Sequence, residues 1–443
     1  MDRRLQLGAC LLATLLSATI TTGQGSDVLE FESIGIGLPD RGQWRNGFDV
    51  ADMNGDGALD IVHGPPRAGD GRPAVFLGDG AGGFKRWAAA RFPDLPYDYG
   101  DAAAADFDGD GSMDLALAIH LRGLVALRGD GDGAFRGWRD GLALADPSVG
   151  SSGRPFSSRA VHADDWNGDG RPDLIALGEG PDRSGLSSPD AGMDSSYGLR
   201  VWLNLPPPSS RWLSAIRSAS AKPPFGDSLA VADLNGDGLL DLATGSQIYG
   251  RRDIVNLGRE DGSWAAVEVD ALPRRGYVSA VAAADRDGDG KYELAVSSLR
   301  LQAGDWMGRI DLLSWQPDGT FARQPVAELG RQGGFTSLVW GDLNGDSASD
   351  LVAAHASGAV WVFIGDESGG LTRATAPLLE SAGEGCKGYH VRLADLDSDG
   401  RDEIIAAFAG EPSALGNGLL GAASQSGCAS GGSIRAWRLR RAP

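Results

Sequence analysis

The chain has 443 residues, of which 42% are hydrophobic and 7% aromatic, and it contains 67 glycines. Its 60 acidic residues outnumber its 40 basic residues, which gives a formal net charge of −20. A nucleic-acid-binding protein needs a basic stripe to meet the phosphate backbone. The sequence has no such stripe, so we expect no nucleic-acid partner, and the glycine content and weak helical periodicity indicate an all-β protein.

The first 25 residues differ from the rest of the chain. Arg3 and Arg4 precede an apolar run over residues 5–20, and a short polar stretch follows it. This is the layout of a secretory signal peptide, and the apolar run is too short for a spanning helix. We therefore predict a signal peptide over residues 1–25, a secreted, periplasmic or externally displayed mature protein and no membrane span. Lipidation at Cys10 stays an alternative.

A nine-residue acidic pattern, D-x-[DN]-x-D-x-x-x-[DE], recurs seven times after this segment, at intervals of 52 to 68 residues. Acidic side chains at the first, third, fifth and ninth positions of a tight turn bring their oxygens together, and a hard cation such as Ca²⁺ stabilises that arrangement. We predict seven calcium loops, at residues 52–60, 106–114, 165–173, 233–241, 285–293, 342–350 and 395–403. Ordinary Asp/Gly hairpin turns are the alternative.

The predicted calcium ligands are the first, third, fifth and ninth residues of each loop. They are Asp52, Asn54, Asp56, Asp60, Asp106, Asp108, Asp110, Asp114, Asp165, Asn167, Asp169, Asp173, Asp233, Asn235, Asp237, Asp241, Asp285, Asp287, Asp289, Glu293, Asp342, Asn344, Asp346, Asp350, Asp395, Asp397, Asp399 and Glu403. Loops two, five and seven have four carboxylates, whereas the others have Asn at the third position. In loop six Ser347 replaces the glycine found at the sixth position elsewhere, where the turn favours a positive φ, so we expect loop six to be the weakest.

Each loop lies between two short apolar stretches, so we interpret it as the turn between the first two strands of a repeat, the A–B turn. The stretches before the loops include residues 48–51, 102–105, 229–232 and 281–284. A third strand is predicted in most repeats, at residues 74–77, 124–127, 199–203, 310–315, 360–364 and 434–439. A unit of this length with about four short strands is typical of a propeller blade.

Residues 225–238, followed by residues 241–245, resemble an FG-GAP repeat of the integrin-α type. The Gly/Asp turns at residues 78–84 and 129–135 resemble the related VCBS repeats of secreted proteins. The resemblance extends over nearly all of the mature chain. It implies a seven-bladed β-propeller over residues 26–443, with Ca²⁺ in the A–B turns on one face and ligand contacts on the other. The function is not implied, because the family includes adhesins, lectins and enzymes.

The two ends of the mature chain are predicted to complete one blade together. The last repeat ends after its third strand, and residues 28–34 have no repeat of their own, so pairing them would close the ring and remove exposed edges. Cys386 and Cys428 flank the last repeat. In an exported protein such a pair predicts a disulfide, with two free thiols or a metal pair as the alternative.

Ligand contacts are expected on the face opposite the calcium loops, where the first strands begin and the second strands end. Aromatic side chains with polar neighbours in a ring suit stacking on sugar rings or contact with a peptide loop. The candidates before the first strands are Trp44, Tyr99, Asp101, Arg159, Asp227, Tyr277, Phe335, Tyr389 and His390. Those after the second strands are His63, His120, Glu179, Gln247, His355 and Glu411.

Three classes of function remain open. We favour a calcium-binding module for adhesion to an extracellular carbohydrate or protein. A structural scaffold without a discrete ligand and an enzyme acting on extracellular polysaccharide or lipid are the alternatives. The five histidines show no catalytic spacing and the chain has no nucleophile-elbow motif, so we predict no catalytic residues, although His120 with Glu179 or Arg159 would be the acid/base set of an enzyme.

Overall fold

The computed structural model describes residues 28–67, 71–144, 156–179, 198–217, 224–330, 333–377, 379, 386–410 and 432–440. The predicted signal peptide lies outside them. The described residues form 28 β-strands and no helix, and thus none of their segments is a helix long and apolar enough to cross a membrane.

The strands form seven antiparallel sheets of four strands each. In six sheets the four strands follow one another in the chain, as in a meander. Blade one contains β2 (Phe48–Ala51), β3 (Asp60–His63), β4 (Ala74–Gly78) and β5 (Phe84–Arg86); blade two contains β6 (Ala102–Ala105), β7 (Asp114–Ile119), β8 (Gly123–Arg128) and β9 (Arg136–Trp138); blade three contains β10 (Ser158–Asp164), β11 (Asp173–Gly178), β12 (Leu199–Asn204) and β13 (Trp212–Arg217).

The later blades follow the same plan. Blade four contains β14 (Leu229–Ala232), β15 (Asp241–Thr244), β16 (Val255–Gly258) and β17 (Trp264–Val267); blade five contains β18 (Gly276–Ala284), β19 (Glu293–Gln302), β20 (Asp305–Trp315) and β21 (Phe321–Gly330); blade six contains β22 (Phe335–Gly341), β23 (Asp350–His355), β24 (Val360–Gly365) and β25 (Leu371–Ala374). Blade seven contains β26 (Lys387–Ala394), β27 (Glu403–Ala409), β28 (Ile434–Leu439) and, from the other end of the chain, β1 (Phe31–Ile34).

In blade seven the outermost strand comes from the beginning of the described chain. β1 pairs with β28 in antiparallel register, with Phe31 opposite Leu439 and Ile34 opposite Ala436. Arg438 on β28 forms ion pairs with Glu32 on β1 and with Asp397 in loop seven. Strand pairing and ion pairs therefore hold β1 and β28 in one sheet.

The first strands of the seven sheets form an inner ring. Each first strand contacts the first strand of the next sheet, and β26 of blade seven contacts β2 of blade one. The molecule is therefore a seven-bladed β-propeller, as the sequence predicts. Because the strands alternate in direction, the seven A–B turns lie at one end of the blades, called here the turn face, and the starts of the first strands lie at the other, called the opposite face.

The described hydrophobic core is divided into seven clusters, each shared by two neighbouring blades. Between blades two and three it includes the rings of Phe107, Trp138, Trp202 and Trp212. Between blades three and four the buried members are only Ile175, Leu199, Val201 and Leu242. Hydrophobic burial therefore stabilises the contacts between blades, and no single central core is needed.

The predicted first and third strands are confirmed, within a few residues at their ends. The third strand of blade four, β16, was not predicted from the sequence. It has only four residues, Val255–Gly258, and two of them are polar or glycine, so its apolar pattern is too short to identify.

Candidate functional site

Each A–B turn is held by hydrogen bonds from its own backbone to the aspartate that opens it. In loop one, Oδ1 of Asp52 accepts the Asp56 N–H at 3.1 Å and Oδ2 accepts the Gly57 N–H at 2.8 Å. In loop two, Asp106 accepts the equivalent N–H groups of Asp110 and Gly111 at 3.1 and 2.9 Å. Since a carboxylate has about four lone-pair sites, the first aspartate shapes the turn and keeps acceptor capacity for a further ligand.

The ninth residue of the turn is a buried anchor in the loops that have aspartate there. Asp60 has no exposed surface; its Oδ2 accepts the Met53 N–H at 2.9 Å and its Oδ1 accepts the Gly78 N–H at 2.8 Å. Burial raises the pKa of Asp60 to about 6. Asp114, Asp173, Asp241 and Asp350 make the same pair of contacts. The ninth aspartate therefore fastens the turn to the end of the third strand, a role that the sequence did not suggest.

Loops five and seven have a longer glutamate at this position. One oxygen of Glu293 accepts the Arg286 N–H at 3.2 Å, and one oxygen of Glu403 accepts the Leu396 N–H at 2.7 Å. Among the described residues, neither glutamate bonds to its third strand. Burial raises the pKa of Glu403 to about 7, so its ionised form is costly without a nearby positive charge.

Carboxylate oxygens converge in the three loops that have no asparagine. In each, three acidic side chains place one oxygen each within 4.8 Å of one another: Asp106, Asp108 and Asp114; Asp285, Asp287 and Asp289; and Asp395, Asp397 and Asp399. We call these loops the acid turns. Acidic residues so close together repel one another unless a proton, a basic side chain or a cation intervenes.

The other four loops, called here the asparagine turns, are satisfied internally. In loop one, Oδ1 of Asn54 accepts the Asp56 N–H at 3.1 Å, and Nδ2 of Asn54 donates to Oδ2 of Asp56 at 2.8 Å. Asn167, Asn235 and Asn344 donate to the fifth carboxylates of their loops in the same way, at 3.1, 3.0 and 2.9 Å. The amide thus supplies a hydrogen-bond donor to the fifth carboxylate.

Basic side chains lie against several carboxylates of the acid turns. Nζ of Lys291 is 3.0 Å from Asp289, and Arg438 is 2.7 Å from Asp397. Nε of Arg128 is 3.3 Å from Asp108. These contacts reduce the repulsion within the turns, and the basic side chains would compete with a cation for the same oxygens.

Two serines in the turns adopt the left-handed conformation that favours glycine. Ser347, at the sixth position of loop six, has φ of 66°. Ser398, at the fourth position of loop seven, has φ of 58°. The first agrees with the strain expected from the sequence; the second was missed, although the glycines at the fourth position of the other loops are a visible signal.

Part of the predicted ligand face lies in the core. Phe335 has no exposed surface and packs edge-on against His355 and Trp361. Trp44 packs against His63 and Phe76 in the core between blades seven and one. These rings fill the spaces between strands, so we leave them out of the ligand site.

Asp101 and His390 also make contacts that indicate a structural role. Oδ2 of Asp101 accepts the Val161 N–H of blade three at 3.2 Å, and burial raises the pKa of Asp101 to about 7. Its carboxylate therefore ties two blades together. The His390 ring packs edge-on against Phe48, and burial holds the pKa of His390 well below its usual range.

A chain of polar side chains crosses the opposite face from blade two to blade four. His120 contacts Glu179 through Nδ1, and Arg159 is 3.4 Å from Glu179 and 2.8 Å from Asp227. Nε2 of Gln247 donates to Asp227 at 3.2 Å. The structure thus brings together five residues that the sequence places in three different repeats.

Glu179 is unsuited to act as a general acid. Its side chain is almost fully buried, one oxygen accepts the Leu121 N–H at 2.6 Å, and the other faces His120 and Arg159. Although burial opposes ionisation, His120, Arg159 and the Leu121 N–H together hold the pKa of Glu179 below its ordinary value. His355 does not join this chain, because its Nδ1 contacts Ser357 instead.

Arginines and aromatic rings flank this chain. Tyr99 stacks on His120 with ring centroids 4.3 Å apart, and the guanidinium groups of Arg45 and Arg67 lie 4.8 and 5.2 Å from the Tyr99 ring centroid. Arg45 is also 5.1 Å from the centroid of Tyr389. The sequence predicts the tyrosines but not the arginines, although Arg45 precedes β2 by the same three residues by which Tyr99 precedes β6, and Arg67 follows β3.

Some predicted residues lie outside the part of the chain that the structure describes. They are Glu411 and Cys428, which belong to residues 411–431 between β27 and β28. Cys386 is buried and does not have a free thiol, and its predicted bridge to Cys428 stays a prediction.

Comparison with known proteins agrees with the fold. The family of FG-GAP-like repeats matches residues 67–117, 233–296 and 342–406. Two crystal structures of BBS1N in complex with ARL6DN, one soaked with lead and one with mercury, are similar to the chain with TM-scores of 0.50 and 0.51 at 11% and 12% sequence identity. Each comparison covers 93% of this chain and 98% of the other, and at such low identity it shows the fold alone.

No curated protein matches the chain. The matched FG-GAP-like regions contain the nine-residue acidic pattern of loops two, four, five, six and seven. The chain therefore carries FG-GAP-like repeats arranged as a seven-bladed β-propeller.

Proposed function

We propose that this protein is a secreted, calcium-binding β-propeller that acts as a binding or adhesion module for an extracellular carbohydrate or protein. The observation that carries the proposal is the division of the molecule into an acidic turn face and an opposite face with partly exposed aromatic and polar side chains. A rigid scaffold with such a loop-built face is typical of binding proteins.

Calcium is supported by the chemistry of the acid turns. Their oxygens lie within 4.8 Å of one another, and hard cations such as Ca²⁺ take carboxylate and carbonyl oxygens as ligands. The residues that would hold the ion in loop five are Asp285, Asp287 and Asp289. A bound Ca²⁺ would supply the positive charge that these oxygens need and would fix the turn. The asparagine turns fit less well, because a cation must displace the amide N–H from the fifth carboxylate.

Export is supported by the sequence alone. Residues 1–25 have the charged start, apolar run and polar end of a signal peptide. Extracellular calcium at millimolar concentration would suit sites of modest affinity, since extracellular modules commonly bind with Kd of about 10⁻⁴–10⁻³ M.

The binding role is supported by the composition of the opposite face. Tyr277 and Tyr389 are partly exposed there, and Arg159 and Asp227 form an ion pair on the same face. A site of this kind offers stacking area together with polar groups that orient a ligand.

The proposal can be tested with the secreted protein on arrays of extracellular glycans and matrix proteins in millimolar Ca²⁺. We expect binding to at least one immobilised molecule, and we expect Tyr389→Ala or Gln247→Ala to weaken it at least severalfold. The matched control is Asp287→Asn on the turn face, measured in saturating Ca²⁺. If binding is lost in the control and kept in both opposite-face variants, the ligand binds at the turn face and the proposal is wrong.

A further inference from the structure

Three aromatic rings form a corner on the opposite face, where blade four meets blade five. Tyr249 lies in the loop between β15 and β16, Tyr277 is the second residue of β18, and Trp306 is the second residue of β20. The rings of Tyr277 and Trp306 are 5.3 Å apart and inclined at 37°. Tyr249 stands edge-on to both, at 5.5 and 6.4 Å. We call this group the aromatic corner.

The aromatic corner is open to solvent. Tyr249 is 47% exposed, and Tyr277 and Trp306 are partly exposed. Among the described residues, neither tyrosine hydroxyl nor the Trp306 indole N–H has a hydrogen-bond partner. The corner therefore combines exposed ring surface with three polar atoms that bond to none of the described residues.

Backbone hydrogen bonds hold the loop of Tyr249 against blade five. The Ser246 N–H donates to Val278 O at 2.8 Å, and the Val278 N–H donates to Ser246 O at 3.2 Å. The Gly250 N–H donates to Gly276 O at 2.8 Å, and Gly250 has φ of 72°, which a glycine adopts without strain. Because these bonds surround Tyr249 and Tyr277, the rings are positioned before any ligand binds, which lowers the entropic cost of binding.

The chemistry of the corner suits a sugar ring. A pyranose has C–H groups on its faces, which pack on aromatic rings, and hydroxyls at its rim, which bond to polar edge groups. The charged residues of the loop itself are paired, since Arg251 is 2.8 Å from Asp253 and Arg252 is 2.7 Å from Asp270. A paired charge gives little attraction to an ionic ligand, so the loop favours an uncharged saccharide over an acidic one. The exposed Arg275 lies two residues before Tyr277, and an acidic probe tests whether it attracts an anion.

We propose that the aromatic corner of Tyr249, Tyr277 and Trp306 is a binding site for a neutral saccharide of an extracellular polysaccharide. This rests on the proposed binding function of the opposite face and assigns to it a location and a ligand class. Tyr277 is the member shared with the candidates from the sequence, whereas Tyr249 and Trp306 come from the structure.

The test is calorimetric titration of the mature protein in millimolar Ca²⁺ with cellohexaose, xylohexaose, mannohexaose and chitohexaose, and with oligogalacturonate as the acidic probe. We expect one neutral hexaose to bind. Tyr249→Ala and Trp306→Ala should each weaken binding by about tenfold or more, the loss expected for an aromatic hot spot, and Trp306→Phe should restore part of it.

Tyr292→Ala is the matched control, because Tyr292 is the other exposed tyrosine among the described residues, at 38%, and lies in loop five on the turn face. It should bind the hexaose like the unaltered protein. An unchanged calcium-dependent melting temperature checks that each variant is folded.

Each negative result would contradict a different part of the proposal: the location, the ligand class or the saccharide assignment. If a neutral hexaose binds and both alanine variants bind it equally well, the aromatic corner is the wrong location, while the binding function stands. If only oligogalacturonate binds, the neutral ligand class is wrong. If no probe binds at millimolar concentration, the saccharide assignment is overturned. The proposed binding function is then tested by the array of matrix proteins alone.

Discussion

The acid turns and the asparagine turns have the same backbone but satisfy their carboxylates differently. Both curl around their first aspartate, and both bury their ninth residue except in loop five, where Glu293 is half-buried. In the acid turns three carboxylate oxygens converge, whereas in the asparagine turns an amide N–H bonds to the fifth carboxylate. The repeat thus determines a common turn, and one side-chain atom decides how strongly that turn attracts a cation.

The magnitude of this difference follows from electrostatics. Two carboxylates about 4 Å apart repel by roughly 1 kcal/mol in water and by about 4 kcal/mol near a protein surface of effective dielectric about 20. An asparagine amide at the third position of the loop removes that repulsion and adds a hydrogen bond to the carboxylate at the fifth position. We therefore expect loops two, five and seven to bind Ca²⁺ before loops one, three, four and six.

The largest expected effect is that of removing calcium. A site with Kd of about 10⁻⁴ M contributes about 1.4 kcal/mol to the free energy of unfolding at 1 mM Ca²⁺, so the three acid turns would contribute about 4 kcal/mol together. EDTA should lower the melting temperature measured by calorimetry, and Ca²⁺ should restore it. A melt that is the same in EDTA and in Ca²⁺ would refute the metal assignment for both kinds of turn.

The second effect separates the anchor from the cation ligands. Asp241→Asn replaces one of two buried oxygens that accept N–H groups of Leu234 and Gly258, so an amide N–H would face a backbone N–H. We expect a loss of about 1–3 kcal/mol in EDTA as well as in Ca²⁺, measured by urea unfolding. The matched change Asp237→Asn, at the exposed fifth position, should cost much less in EDTA. Equal losses in EDTA would contradict the anchor role.

The third prediction exchanges the two kinds of turn. Asp287→Asn converts loop five towards the asparagine type, and Asn54→Asp converts loop one towards the acid type. We expect the first to reduce the calcium-dependent gain in stability by about 1 kcal/mol and the second to increase it by a similar amount. The measurement is the difference in unfolding free energy between Ca²⁺ and EDTA. If both changes leave that difference unaltered, the third position does not distinguish the turns.

The smallest effect concerns the two strained serines. A left-handed conformation costs a non-glycine residue about 1–2 kcal/mol. A change to glycine removes this cost, but glycine also has more conformational freedom in the unfolded chain, which cancels part of the gain in stability. Ser347→Gly and Ser398→Gly should each raise stability by roughly 0.5 kcal/mol. Chemical unfolding in EDTA measures this directly. A loss of stability in both variants would mean that the serine side chains make contacts that outweigh the strain.

The turn face was largely predictable because its information is local. The first, third and fifth positions of a turn are close in the chain, so spacing alone brings their side chains together, as in loop two with Asp106 and Asp108. The ninth position was predicted as a ligand, but its contact with the third strand involves residues 15 to 31 positions away, such as Gly129 and Asn204. The strand pairing that creates this contact is not visible in the turn itself.

The opposite face was less predictable because its contacts cross between blades. Spacing places Trp44, Asp101 and Phe335 beside Tyr277 and Tyr389, yet the first three are buried. Whether a residue at the start of a first strand fills the gap to the next blade or reaches solvent depends on the size of the side chains across that gap. This depends on neighbours more than 50 positions away, as for Asp101 and Val161.

The sequence by itself determined the repeat, the number of blades, the turns that contain the acidic residues and the existence of two unlike faces. These follow from short-range periodicity, since each blade repeats one local pattern of strands and turns. Only the tertiary structure decided which aromatic side chains are exposed and which of them meet in the aromatic corner. Pairing of β18, β19 and β20 within blade five brings the rings of Tyr277 and Trp306 together, and packing of blade four against blade five adds the ring of Tyr249.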